Sequence, residues 1–436
     1  MIATRLAFGQ FLAQLGDNIP ELVVLDAEMS NSTFTNLFGE KFPDRFIQCF
    51  IAEQNMMSVA LGLNLGGFVP VCATFAAFLT RCFDQIRMSQ YTFPKTNLKI
   101  VGSHCGISIG SDGPSQMALE DIAMFATINC SIILYPSGET ATQELTKIML
   151  KHHGISYLRL TRDEMPDLYQ NENSQNQSQN SIQNLNYTFK IGGSSLFKNL
   201  PKNQSENSKI VLDSFKKNLP KITLIGAGIT VHECLKAQQK LKEEFEIQVI
   251  DLYSVKPFDQ LTVLKAVLES QCLITVEDHS AFGGIGSIIG AFLAGFNLGD
   301  LKTQIQNWQK EQNFSILQNN FQENLSNNFQ NKLQSNSGLS QAILRQIQSN
   351  FDPHNLSELE KGLEKNNFVS FLTNLEIDNN WRGVHSLSVT QIPKSGSKEK
   401  LLEWAKIDSS GIIEKIMQIC DKDPNNYKNG KKMSGK

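Results

Sequence analysis

Three short stretches of the chain gather residue types that can do chemistry. The first is Ile51-Ala-Glu53-Gln54-Asn55-Met-Met57, a carboxylate leading into small and apolar residues. By itself such a glutamate most often places a negative charge at the positive end of a helix dipole. Held among apolar neighbours, a carboxyl can instead share a proton and serve as an acid or base. The second stretch is Ala73-Thr-Phe75-Ala-Ala-Phe78-Leu-Thr-Arg81. Phe75 and Phe78, three residues apart, are expected on one face at the start of a helix. Arg81, one turn on, is a cation in an apolar run and needs a partner, with Asp84 and solvent as ordinary candidates. The third is Gly102-Ser-His104-Cys-Gly106-Ile-Ser-Ile-Gly-Ser-Asp112-Gly-Pro-Ser-Gln116. It is a polar string on a strand-end turn, where loop residues project into clefts. Gly226-Ala-Gly228 lacks the third glycine of a dinucleotide fingerprint and reads as a tight turn into a helix.

These residues must be placed by a framework of strands and helices. Helical spacing over Arg5–Leu15, Asn55–Leu63, Phe75–Met88 and Gly138–Met149 alternates with strand patterns at Leu22–Leu25, Phe68–Ala73, Leu98–Val101 and Cys130–Leu134. Such alternation predicts an α/β fold whose parallel sheet is covered by helices on both faces, over residues 1–168. From Gln170 to Asn184, ten of fifteen residues are Asn or Gln, too polar for a core and expected to be a disordered linker. That linker, 169–218, has a second polar stretch at Lys202–Ser208 and one strand-like segment, 186–198. A second α/β domain is expected over 219–420. Its elements are a strand at Lys221–Gly226, a helix at Val231–Leu241, strands at Gln248–Asp251 and Cys272–Val276, and an apolar helix after Gly283-Gly-Ile-Gly286. An Asn/Gln-rich insertion, 302–380, interrupts it and holds short helical patterns at Gln341–Ser349 and Ser357–Glu364. The domain resumes with a strand at His385–Val389 and a helix at Ile407–Ile419, before a polar tail, 421–436.

Composition narrows the function classes. The 436 residues carry a net charge of −3 and a pI near 6.2, with no basic footprint for nucleic acid or polybasic patch for a membrane. No apolar run approaches the about 18 residues of a membrane span, and the N-terminus lacks the layout of a secretory signal. Eight cysteines are scattered without a C-x-x-C pair, as expected of reduced thiols in a cytoplasmic protein without a zinc site.

Taken together, the three stretches resemble the pyrimidine-binding domain of a transketolase. The resemblance covers about residues 1–168, 186–300 and 385–420, the second and third domains of that family. A transketolase moves a two-carbon ketol unit between sugar phosphates of the pentose phosphate pathway, using thiamine diphosphate. The resemblance implies that Glu53 is the catalytic carboxyl hydrogen-bonded to N1′ of the cofactor's pyrimidine. Phe75 and Phe78 would pack on that ring, although core packing accounts for Phe75 nearly as well. Arg81 stands where other members carry tyrosine, and Glu28 where the family usually has an aspartate near cofactor and dimer contact. Arg5, Ser32, His104 and Arg162 would bind the phosphate end of the substrate. Asp112 would take its C2 hydroxyl, and Gln116 would contact the reacting oxygens. Besides Glu28, two positions depart from the family pattern: Ser111 and Phe282 each replace a glutamate.

Only fifty residues precede Ile51, too few for the diphosphate-binding domain that comes first in the family, and no Gly-Asp-Gly for Mg²⁺ occurs. The resemblance therefore implies half of an active site. The metal ligands would lie on a separate diphosphate-binding subunit or second protomer, within a dimer or α2β2 assembly, and none on this chain. Two other readings stay open: an inactive or truncated transketolase-like protein with a structural role, or another thiamine enzyme, a 2-oxoacid dehydrogenase β-subunit or deoxyxylulose-phosphate synthase.

Overall fold

The first half of the chain runs β1 (Ile2–Ala3), α1 (Thr4–Leu15), β2 (Leu22–Asp26), α2 (Ser30–Thr33), α3 (Asn36–Lys41), β3 (Phe46–Gln48), α4 (Glu53–Leu65), β4 (Val69–Phe75), α5 (Phe83–Thr92), β5 (Lys99–Ser103), α6 (Asp121–Ala126), β6 (Ser131–Leu134), α7 (Glu139–Lys151), β7 (Ile155–Arg159) and β8 (Glu164–Met165). The second half adds β9 (Ser195–Lys198), β10 (Lys221–Gly226), α8 (Ile229–Leu241), β11 (Glu246–Asp251), β12 (Ser254–Lys256), α9 (Gln260–Glu269), β13 (Cys272–Ser280), α10 (Ile285–Leu293), β14 (Val384–Val389), α11 (Lys398–Trp404) and α12 (Ser409–Ile419). This computed structural model describes residues 1–93, 96–169, 187–198, 219–296 and 381–421. Outside them lie the linker stretches Gln170–Asn184 and Lys202–Ser208, the insertion 302–380 with its expected helices Gln341–Ser349 and Ser357–Glu364, and the tail beyond Asp421. Apart from residues 291–296, the described residues belong to one compact unit.

β2, β5 and β7 are buried at every position, as strands covered on both faces must be. They lie inside a seven-stranded sheet of order β12-β6-β7-β5-β4-β2-β3. Every neighbouring pair is parallel except β12 with β6. β2 has β3 on one side and β4 on the other, so the winding reverses there, and ligands of such sheets bind beyond the carboxyl ends of the strands at that point. A second sheet, β14-β13-β10-β11-β9, is parallel apart from its β9 edge. The architecture is thus α/β in both halves. β1 and β8 pair antiparallel, Ile2 opposite Met165, which brings the start of α1 to the end of β7.

β12 comes from the second half of the chain yet forms the edge of the first sheet. Just before it, the Tyr135 amide donates to the Tyr253 carbonyl at 2.8 Å. Gly228 packs against the same tyrosine with φ +58°, and a Cβ there would sit 2.1 Å from the Tyr135 ring. The glycine turn after β10 is a point of close approach between the halves.

One expected element is corrected. Phe75–Met88 is not a single helix: Phe75 closes β4, Ala76–Cys82 is a 3-10 segment, and α5 begins only at Phe83. The run Ala73–Leu79 is apolar without a clear period, and a short apolar run fits a buried strand as readily as a helix. α4 starts at Glu53 itself, two residues earlier than the spacing suggested. Among the described residues no helix is long and apolar enough to cross a membrane, and all eight cysteines are free thiols.

Candidate active site

The carboxyl ends of the parallel strands bring most of the singled-out residues together. Glu53 follows β3 as the first residue of α4 and is 3% exposed. Its Oε1 accepts from Arg81 Nη1 at 2.5 Å. Arg81 thus finds its partner across 28 residues, while Asp84 pairs with Arg87. The Arg81 guanidinium lies 4.5 Å over the Phe78 ring. Phe78 stacks on Phe75 with centroids 5.4 Å apart, and Phe75 stacks on His104 at 3.9 Å. A continuous line of contacts therefore runs Glu53–Arg81–Phe78–Phe75–His104. Phe75 reaches it from a strand end and Phe78 from the 3-10 segment, not from one helical face.

Beyond His104 the polar groups converge. Arg5 Nη1 donates to the main-chain carbonyl of Ser32 at 2.7 Å, and Arg5 Nε donates to the Arg162 carbonyl at 3.0 Å. Arg162 Nη1 donates to the Ile109 carbonyl at 2.8 Å and pairs with Asp112 at 3.1 Å. Ser32 enters through its backbone and not its hydroxyl. Asp112 and Arg162, expected at opposite ends of a substrate, lie side by side. Burial first, and Arg162 second, pull the Arg5 guanidinium below its ordinary range. Gln116 sits in the turn Pro114–Gln116, which packs against the segment carrying Phe78 and Arg81. Glu28 stands apart: it is exposed, with φ +63°, and only its amide is tied, to Gln48. Phe282 is 87% exposed in its turn.

His104 itself has φ +57°, a backbone region that costs a non-glycine residue about 1–3 kcal/mol and persists only where the surroundings impose it. Its Nδ1 shares a 2.9 Å hydrogen bond with Ser103 Oγ. Burial, reinforced by Arg5 and Arg162, lowers its imidazole from 6.5 to about 3. Its NMR signal is accordingly expected not to titrate between roughly pH 5 and 8, and a midpoint near the ordinary value would contradict the buried stack. The unfolded chain takes that proton near 6.5, the folded chain only near 3. Between those values acidification favours unfolding, and His104→Gln should flatten that part of the stability profile.

Residue-type spacing did not single out several supporting groups. Asp26, at the end of β2, accepts from the Met29 amide and from the hydroxyls of Thr33 and Thr35 at 2.6–2.8 Å. Burial raises it to about 6 against those hydrogen bonds. The aspartate followed by Asn31-Ser32-Thr33-Phe34-Thr35 was the available signal, since such hydroxyls commonly close turns. Arg159, at the end of β7, is fully buried, with Nε 2.7 Å from Asp121 Oδ2 and Nη2 3.1 Å from Oδ1. Burial is the largest influence and works against the Asp121 charge, yet Arg159, His279 and the hydrogen bonds from Arg159 and Tyr157 together hold that carboxyl below its ordinary range.

The site's residues suit an aminopyrimidine ring. A buried carboxylate at a helix start stands beside a stacked aromatic pair, and Phe78 is only partly covered. Among the described residues no three His, Cys, Asp or Glu are grouped where they could hold a metal ion.

Residues 1–167 match the transketolase pyrimidine-binding domain, and residues 214–309 match the transketolase C-terminal domain. Over 297 residues the chain is 41% identical to human transketolase, a stretch covering 67% of this chain and 42% of that protein. It is 44% identical over 294 residues to transketolase-like protein 1 of Bos taurus, covering 67% of this chain and 44% of that one. The chain thus spans less than half the length of these relatives. The fold is shared with a split-gene transketolase solved as an inactive β4 tetramer. The TM-score there is 0.63 and the identity 23%, over 97% of this chain and 99% of that one. It is shared also with the transketolase of Campylobacter jejuni, with a TM-score of 0.57 and 15% identity, over 96% of this chain and 46% of that one. Through its pyrimidine-binding and C-terminal domains, the chain belongs to the transketolase family.

Proposed function

We propose that this chain is a transketolase-type subunit in the transfer of a two-carbon ketol unit between sugar phosphates. The observation that supports this is the unbroken line of contacts from Glu53 through Arg81, Phe78 and Phe75 to His104; its Glu53 end would take the ring and its His104 end, beside Arg5 and Arg162, the phosphate. Thiamine diphosphate, when bound, supplies the carbanion chemistry of the transfer. Glu53 would hold the pyrimidine nitrogen with a carboxyl kept from water, and Arg81 fixes the rotamer of that carboxyl from the solvent side. Phe78 would support the ring face directly, and Phe75, stacked between Phe78 and His104, would back it from behind. Arg5 and Arg162 offer guanidinium groups for the phosphate. Neutral His104 can hydrogen-bond a sugar oxygen without adding charge, and Asp112 and Gln116 line the approach to the reacting carbon. Glu28 would contribute from the margin of the cofactor site.

The diphosphate and its Mg²⁺ would be held by a diphosphate-binding domain on a separate subunit, within a dimer or an α2β2 assembly in the cytoplasm. Purification of the native protein tests this: an assembly containing such a domain and active in ketol transfer is expected. A stable monomer with no companion and no activity would sink the assignment. Within the active assembly, Arg162→Ala should raise KM for phosphorylated sugars about tenfold or more and change kcat little. A charge-assisted hydrogen bond is worth ~1.5–3 kcal/mol, and one made equally in ground and transition states shows in KM and not in kcat. An unchanged KM would remove Arg162 from the substrate site.

A further inference from the structure

The His104 turn is held from both halves of the chain. Within the first half, the Cys105 amide donates to the Leu160 carbonyl at 3.2 Å and the Gly106 amide to the Ala118 carbonyl at 3.1 Å. The next amide, that of Ile107, leaves the first half altogether and donates to Asp278 Oδ1, on β13, at 2.7 Å. The same carboxylate closes over Gly106: with φ +72°, a Cβ there would lie 2.1 Å from Asp278 Oδ2. Asp278 is itself 1% exposed, and its main-chain carbonyl accepts from Arg159 Nη2 at 2.9 Å, which anchors β13 at this residue. Farther along the loop the Gly396 amide donates to the Gly110 carbonyl at 3.4 Å, and α11 packs against Ile107–Asp112. The second half thus backs the loop that carries His104 and Asp112 along much of its length.

We propose that Asp278 is a positioning residue for His104, through which the second half of the chain sets the shape of the sugar-phosphate site. Three consecutive amides after His104 are each tied down, and a non-glycine residue stays at positive φ only under such constraint. The tie to Asp278 is the one among the three made by a side chain, and it is charge-assisted. Loss of it frees the turn on the side where His104 stacks on Phe75. The inference rests on the assignment of His104 to the substrate site, and its test separates the two.

The full-length chain, labelled with ¹³C-histidine, gives a readout that needs neither cofactor nor turnover. The His104 signal, assigned by its loss in His104→Gln, carries the ring-current shift of the Phe75 stack. In Asp278→Ala that signal is expected to leave its shifted position while those of His152 and His385 stay. Asp278→Asn keeps an acceptor oxygen for Ile107 and should retain the wild-type signal. Should the alanine variant fail to fold, Asp278→Leu keeps the branching at Cγ in a bulkier side chain without an acceptor and should give the same displacement. In the active assembly the displaced variants should show KM for a pentose phosphate raised roughly tenfold, the scale of a misplaced contact, with kcat little changed. A His104 signal unmoved in both Asp278→Ala and Asp278→Leu overturns the proposal. A displaced signal with unchanged KM upholds the positioning and removes His104 from the substrate site.

Discussion

If the proposed function holds, Glu53→Gln is expected to lower ketol transfer in the proposed assembly by at least the ~10²-fold typical of a lost acid–base group. The substitution is nearly isosteric. Glutamine keeps an oxygen for Arg81 Nη1, so the hydrogen bond that now spans 2.5 Å can persist, donated by a guanidinium that stays charged. What disappears is the ionisable carboxyl that a pyrimidine nitrogen requires, in a position only 3% exposed where no water can replace it. Far-UV dichroism and the thermal midpoint should stay near wild type, which separates the effect from misfolding. Were transfer to continue at the wild-type rate, Glu53 would be an ordinary charge at the start of α4, and its value would be the ~0.3–1 kcal/mol of a helix-dipole contact.

The largest effect on stability is expected at Asp121. Its carboxylate takes two hydrogen bonds from Arg159 and one, at 2.6 Å, from the Tyr157 hydroxyl. Both members of the ion pair are shut off from water. Asp121→Ala leaves the guanidinium buried without a counter-charge, and such a loss costs about 3–5 kcal/mol. The urea midpoint should fall accordingly, with an unchanged slope if the transition stays two-state. Replacing both partners by apolar residues should recover much of that loss, because the stranded charge goes with the pair. A fall below ~1 kcal/mol in Asp121→Ala would mean that Ala118 and Asp278 carbonyls alone satisfy Arg159.

Much of the framework was legible because it depends on local pattern. Continuous apolar runs such as Leu22-Val-Val-Leu mark strands covered on both faces, and the long helices α1, α4 and α7 follow from spacing, whereas the short α2, α3 and α6 do not. The short edge strand Phe46–Gln48 and the pairs β1 and β8 left no pattern long enough to count. The 3-10 segment after Phe75 was misread since Ala-Ala-Phe-Leu has apolar residues at every register. For the site, the resemblance to transketolases pointed to Glu53, the phenylalanine pair and His104, where residue type alone would have left Glu53 as a helix-dipole charge and Phe75 as core. Their mutual contacts were not legible: Arg81 meets Glu53 and Asp278 meets Ile107 only because crossover connections lay distant stretches together. Buried charges such as Arg159 are likewise indistinguishable in sequence from surface ones, since nothing local announces the partner.

The strand β12 has a consequence for how this protein comes to be folded. A sheet built from residues 22–159 alone would end at β6 with its outer row of amides and carbonyls open, an edge prone to recruit strands from other chains. Here that edge is covered by Ser254–Lys256, whose register places Ser254 opposite Leu134. The covering strand is synthesised about a hundred residues after the edge it protects, and at ~5–20 residues per second that is an interval of seconds on the ribosome. During it the nascent first sheet is incomplete and depends on whatever shields an open edge in the cell. A fragment cut between the two halves would carry the same open edge permanently, so the folding unit of the first sheet extends at least to residue 256.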